Sequence, residues 1–96
     1  TISMELNKED LQKLEEMSGA LMSPEEIAIL LDIVPDERKL FRSMCLEHDR
    51  SEIYTAYQKG RLNTKLKLRE TIVKLAMAGS PAAEPIAIKF INEQKT

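Results

Sequence analysis

The chain is divided by helix starts and stops, and no run between them alternates with the two-residue period of a strand. Asn7 is placed to cap a first helix, with Asp10 closing a capping box, Leu11, Leu14 and Met17 at helical spacing, and Gly19 as its stop. Ser23-Pro24-Glu25-Glu26 is a stronger start: the Ser23 hydroxyl can accept from orphan amides, Pro24 suits the first helical position and Glu26 can bond back to the cap. This second helix runs to about Leu31. After the turn Asp32-Ile33-Val34, Pro35 opens a third helix through Leu40, Phe41, Met44 and Cys45 to about Glu47. Asp49 or Ser51 can cap a long fourth helix reaching Ala78, with Gly60 and Asn63 weakening its middle enough for a bend or break. Gly79 and Ser80-Pro81 repeat the stop and start, and a last helix extends to about Glu93, with Pro85 tolerated near its beginning. The expected fold is therefore all-α, with about five helices: a helix-turn-helix followed by a long helix and a C-terminal helix.

A chain of 96 residues has room for one helical domain, 1–96, divided into a helix-turn-helix-like part, 23–48, and a helical assembly part, 50–94. With two Phe, two Tyr and no Trp, the core must be built from Leu, Ile, Val, Ala and Met, a mixture that favours helix packing over sandwiches. The single Cys45 has no internal disulfide partner and no metal-ligand spacing around it, which fits a reducing cytoplasm. No apolar run approaches the roughly 18 residues of a membrane span, and no charged-then-apolar signal pattern opens the chain. Thr1-Ile2-Ser3 reads as upstream sequence before a start at Met4.

Charge is unevenly distributed. Residues 1–49 hold 5 Lys/Arg against 12 Asp/Glu, and residues 50–96 hold 9 against 4. Two readings follow: acidic and basic parts attracting one another within or between copies, or a local positive surface for phosphate. The helices Pro24–Leu31 and Pro35–Glu47 have the outline of a helix-turn-helix, with Ile27, Ala28 and Leu31 facing inward, Ile33 plugging the turn, and Leu40, Phe41 and Met44 lining the second helix. That leaves Arg38, Lys39 and Arg42 outward, where such a motif meets phosphates or base edges. A plain helical hairpin shows the same pattern. Asp36 and Glu37 at the start of the third helix oppose phosphate but suit the helix dipole, and Asp32 stands near the place of the usual turn glycine.

In residues 64–78, Leu68, Ile72 and Leu75 form one apolar stripe and Leu66, Val73 and Met77 another, roughly 140° away at helical periodicity. Two stripes need two sets of neighbours, so Leu66, Leu68, Ile72, Val73 and Leu75 are expected at a homo-oligomer interface. Lys65, Arg69 and Ala76 lie between the stripes, with Arg69 paired because an unpaired buried charge is costly. Arg61 and Lys65 are expected to be exposed and able to touch backbone phosphate. Enzyme chemistry finds little material: His48 is the only histidine, with Cys45 three residues before it, and there is no phosphate-binding loop, zinc-binding helix motif or dinucleotide fingerprint. No catalytic residue, metal or cofactor is assigned.

The stretches "SPEEIAILLDIVPDERKLFR" and "IYTAYQKGRLNTKLKLRETIVKLAMAGSPAAEPIAIKFI" together resemble the small subunit of phage terminases, the DNA-recognition component of the genome-packaging motor. The resemblance spans about residues 23–94 and is carried by "AYQKG", Leu68-Arg69, "LAMAGSPAA" and "AIKFI". It implies a helix-turn-helix that binds double-stranded DNA, long helices that associate into rings, and a terminase large subunit as partner. The acidic first half departs from this pattern, and the brevity of the chain leaves little for a segment that docks on the large subunit. The competing expectation is a helical interaction or transcriptional regulatory module with no packaging role.

Overall fold

The computed structural model describes residues 4–93, so the reading of Thr1-Ile2-Ser3 as upstream sequence falls outside the described residues, as does the end of the 50–94 part. Five helices and no strand occur among them: α1 (Lys8–Gly19), α2 (Pro24–Leu30), α3 (Pro35–Glu47), α4 (Glu52–Met77) and α5 (Glu84–Glu93). The all-α expectation holds. None of these helices is long and apolar enough to cross a membrane.

At α1, α2 and α4 the starts follow side chains that can satisfy orphan amides, whereas α3 opens on Pro35 after Val34 with no side-chain cap bond. Asn7 Oδ1 accepts from the Asp10 N–H at 2.8 Å. At α2 both halves of the capping box form: the Glu26 N–H donates to Ser23 Oγ at 3.2 Å, and the Ser23 N–H donates to Glu26 Oε1 at 2.9 Å. Those contacts hold the Glu26 carboxyl below its usual range, the backbone bond from Ser23 contributing most. Of the two candidates at α4, Ser51 is the cap, accepting from the Tyr54 N–H at 3.0 Å. Ser80 Oγ accepts from the Ala83 N–H at 3.4 Å in the turn that leads into α5, and Pro85 sits at the second helical position.

Three helix exits share one hydrogen-bond pattern. After α1 the Met22 N–H reaches Met17 O, after α2 the Ile33 N–H reaches Ala28 O, and after α4 the Ser80 N–H reaches Leu75 O; a shorter bond nests inside each. This is the Schellman arrangement, which requires one residue in the left-handed region. That residue is Leu21 (φ 66°), Asp32 (φ 59°) and Gly79 (φ 92°) respectively. Gly79 fits this role without strain. Gly19, expected as the stop of α1, is its last residue, and the left-handed conformation falls two residues later on Leu21.

The chain forms two compact units, residues 1–64 and 65–96 by sequence. In the first, Leu14, Ile27, Ala28, Phe41, Cys45 and Ile53 are buried to within 1% of complete exclusion from solvent and form the centre of a core completed by Met44, Ala56 and Tyr57. Burial at this level contributes about 1.5–3 kcal/mol for each large aliphatic side chain. The middle of α4 enters this core where Gly60 was read as a weak point. The helix is uninterrupted there, because the glycine is needed for contact: a Cβ on Gly60 would lie 2.2 Å from Glu15 O and 3.0 Å from Gly19 N. Hydrogen bonds fasten the crossing, from Ser18 Oγ to Tyr57 O at 2.5 Å and from Thr64 Oγ1 to Gly19 O at 2.5 Å.

The second unit holds the last turns of α4 and the whole of α5. Its fully buried apolar side chain among the described residues is Ala83, and α5 itself buries none. Arg69 links its two helices, with the guanidinium 4.1 Å from the Phe90 ring centre and Nη2 donating to Glu93 Oε2 at 2.8 Å. The expected pairing of Arg69 is thus found, at a half-buried site.

Candidate nucleic-acid interface

The α2–turn–α3 pair has the packing expected of it. Ala28 and Ile27 are fully buried from α2, Phe41, Met44 and Cys45 from α3, and Ile33 plugs the turn between them. With the inner side of α3 so occupied, helical periodicity places Pro35, Lys39, Arg42 and Leu46 along one outer strip and Asp36, Ser43 and Glu47 along the next. The outer face of α3 is therefore divided into a basic strip and an acidic one.

The three cations assigned here differ in their freedom. Lys39 is exposed, beside an open groove lined by Met4, Glu5, Asp36, Leu40 and Ser43. Arg42 is exposed and pairs through Nε with Glu25 Oε1 at 2.8 Å. Both partners are more than half exposed, so the bridge is worth at most about 1 kcal/mol and can open toward a phosphate. Arg38 corrects the expectation of an exposed side chain: it is half-buried, and its Nε donates to Ile33 O at 3.0 Å, holding the turn.

Arg61 corrects the sequence reading in the same way. Its Nη2 donates to Met22 O at 2.6 Å, its Nε donates to Tyr57 Oη at 2.7 Å, and the guanidinium stacks 4.9 Å from that ring centre. It is half-buried and fastens the exit of α1 to α4. The signal for this role was remote, since Met22 lies 39 residues away. Lys65 is exposed as expected.

The assembly residues fall on an open surface. Leu66 and Leu68 are each more than half exposed, Val73 and Leu75 are exposed, and Ile72 is half-buried. The half-buried face of this part of α4 carries Arg69 and Ala76, between the two stripes, together with Ile72 from the first stripe, while the other stripe residues flank it toward solvent. Apart from Ile72, the stripe residues consequently stay open in the single chain, where sequence reading expected them at an interface between copies.

Burial pushes the Cys45 thiol up to about 12, with Glu25 adding to the rise and Arg61 opposing it, so the side chain is a core filler and not a thiolate. His48 lies at the end of α3 with Nε2 3.2 Å from Ser43 Oγ, on the exposed surface. Sequence reading missed the exposed apolar residues Ile29, Leu30 and Val34, which sit in and just after α2. A signal for their setting was present: from Leu14 to Glu37 the chain has seven Asp/Glu and no Lys or Arg. Comparison with known proteins finds no matching family model, no matching curated protein and no matching solved structure.

Proposed function

We propose that the chain is a small DNA-recognition subunit of the phage terminase small-subunit kind, which grips duplex DNA with α3 and self-associates through residues 65–93. The observation that carries this reading is the outer strip of α3, where Lys39 and Arg42 stand exposed behind a complete apolar inner face. Arg38 serves this strip from beneath by bracing the turn. A helix so braced presents its cations at fixed spacing to the backbone phosphates, which position such a helix in the groove. Residues 23–48 hold three Lys/Arg against six Asp/Glu, so one copy has a weak grip. Repetition in an assembly raises it by avidity. The packaging role and docking to a terminase large subunit follow from the resemblance, and the cytoplasmic location from the single unpaired Cys45.

The acidic balance of residues 23–48 favours a second reading, a helical interaction or regulatory module that binds no nucleic acid. Binding of a fluorescent random duplex at low salt, followed across a salt series, separates the two. The parent is expected to bind with an affinity that falls steeply with salt, and Lys39→Ala/Arg42→Ala to flatten the log–log slope by about two units. A parent that binds no duplex, or a variant with unchanged affinity and slope, would remove α3 from a DNA role and leave the interaction reading.

A further inference from the structure

We infer that copies of this chain associate head to tail, the basic apolar surface of residues 65–93 in one copy seating on the acidic apolar surface of α2 in the next. This rests on the self-association in the proposed function and not on its DNA half.

The receiving surface is built by α2. Its inner side is taken by Pro24, Ile27 and Ala28, yet Ile29 and Leu30 are 56% and 59% exposed, and Val34 follows at the start of α3 with similar exposure. On a seven-residue helix otherwise ordered by its core, two adjacent large aliphatic side chains facing water are not required by the fold. Each stands one turn after a carboxylate, Glu25 before Ile29 and Glu26 before Leu30, and Asp32 closes the same helix exit. By sequence, residues 14–37 hold seven acids and no base, and the cation that reaches this surface is Arg42, which pairs with Glu25 at 2.8 Å.

The inserting surface has the opposite charge. By sequence, residues 65–96 hold six Lys/Arg against three Asp/Glu, and residues 1–64 hold eight against thirteen. On α4 the exposed Lys67, Glu70 and Lys74, two cations to one acid, fall between the exposed Leu68–Leu75 flank and the Leu66–Val73 flank. An apolar patch bordered by carboxylates and an apolar helix bordered by ammonium groups are complementary. Two copies of the basic surface brought face to face would instead oppose like charges. The contact is thus heterologous: each copy offers one surface of each kind, and association repeats along a ring or filament.

Complementation tests this directly. In one variant, Ile29→Glu/Leu30→Glu spoils only the receiving surface; in the other, Leu68→Glu/Leu75→Glu spoils only the inserting one. All four positions are exposed, and circular dichroism of each variant checks that the helices remain. Light scattering is expected to show a parent larger than one chain, each variant alone as one chain, and a mixture of the two as a two-chain species, since the intact surfaces can still meet once. An Ile29→Glu/Leu30→Glu variant that assembles like the parent while Leu68→Glu/Leu75→Glu does not would overturn the inference in favour of a like-with-like contact of the second unit. A parent of one chain at all concentrations would overturn it together with the assembly half of the proposed function, whereas loss of DNA binding alone leaves it standing.

Discussion

Residues 4–64 and 65–93 use similar residues to opposite ends. The first region closes a core around Phe41, Ile27 and Leu14, with Gly60 allowing α1 and α4 to touch at backbone distance. The second has eight Leu, Ile and Val side chains and only two helical segments to hide them with, and eight of the fourteen exposed large hydrophobics among the described residues lie at or beyond Leu66. Apolar periodicity therefore says that a surface seeks a neighbour, not whether that neighbour is in the same chain. In the first region four helical segments meet that need internally; in the second, one hairpin leaves it open.

Core truncation should give the largest contrast. Phe41→Ala is expected to cost about 3–5 kcal/mol of unfolding free energy, a large part of the stability of a small domain. Leu75→Ala, at an exposed site, should stay within about 0.5 kcal/mol for the single chain while weakening assembly. Chemical denaturation of dilute protein checks both, and equal losses at the two sites would break the comparison.

Next in size is Gly60→Ala. Alanine gains roughly 1 kcal/mol of helix propensity at an open site. Here the added carbon meets Glu15 O, a backbone atom that cannot rotate away, and overpacking of this kind costs about 1–3 kcal/mol. The net effect is expected to be destabilising. A rise in melting temperature would show that α1 does not lie against α4 as described.

The helix exits give a smaller effect of opposite sign in the two regions. Leu21→Gly removes a branched side chain from the left-handed region at an exposed site, and should stabilise by about 1 kcal/mol. Gly79→Ala places a side chain where glycine now sits, and should cost a similar amount despite open space around it. Thermal denaturation of the two variants reads both signs.

The smallest expected effect is electrostatic and confined to the second region. The Arg69 hydrogen bond is the main cause holding the Glu93 carboxyl below its usual range. A carboxyl depressed in the folded state contributes stability that is present above its unfolded value and is lost as pH falls through the folded one. Acidification below the ordinary carboxylate range should therefore loosen α5 from Arg69. Amide shifts of residues 84–93 followed by NMR would show this, and Glu93→Gln should remove the pH step. A step unchanged in that variant would detach it from the Arg69–Glu93 pair.

What was legible in the sequence was local. The capping box at Ser23, Pro35 at the start of α3, the inward set Ile27, Ala28 and Phe41, and the pairing need of Arg69 all follow from spacings of a few residues. What was not legible depended on distant contacts. Gly60 reads as a weak helix position until Glu15 and Gly19 are placed beside it, and Arg61 reads as a free cation until Met22 O is brought to it from 39 residues away. Asp32 is intermediate: it was noted near the place of a turn glycine, and its φ of 59° shows that it takes that conformation itself. In the candidate interface, Lys39 and Arg42 emerge outward as the periodicity indicates, whereas Arg38 is drawn back by the carbonyl of Ile33.

The central claim is that recognition belongs to α3 and assembly to residues 65–93. Hydrogen–deuterium exchange of the full chain, with and without duplex DNA at high and low protein concentration, tests it most directly. The account predicts that DNA slows exchange in peptides covering residues 35–47, and that dilution without DNA speeds exchange in peptides covering residues 65–93. Protection by DNA centred on residues 65–78, with α3 unchanged at saturation, would contradict it.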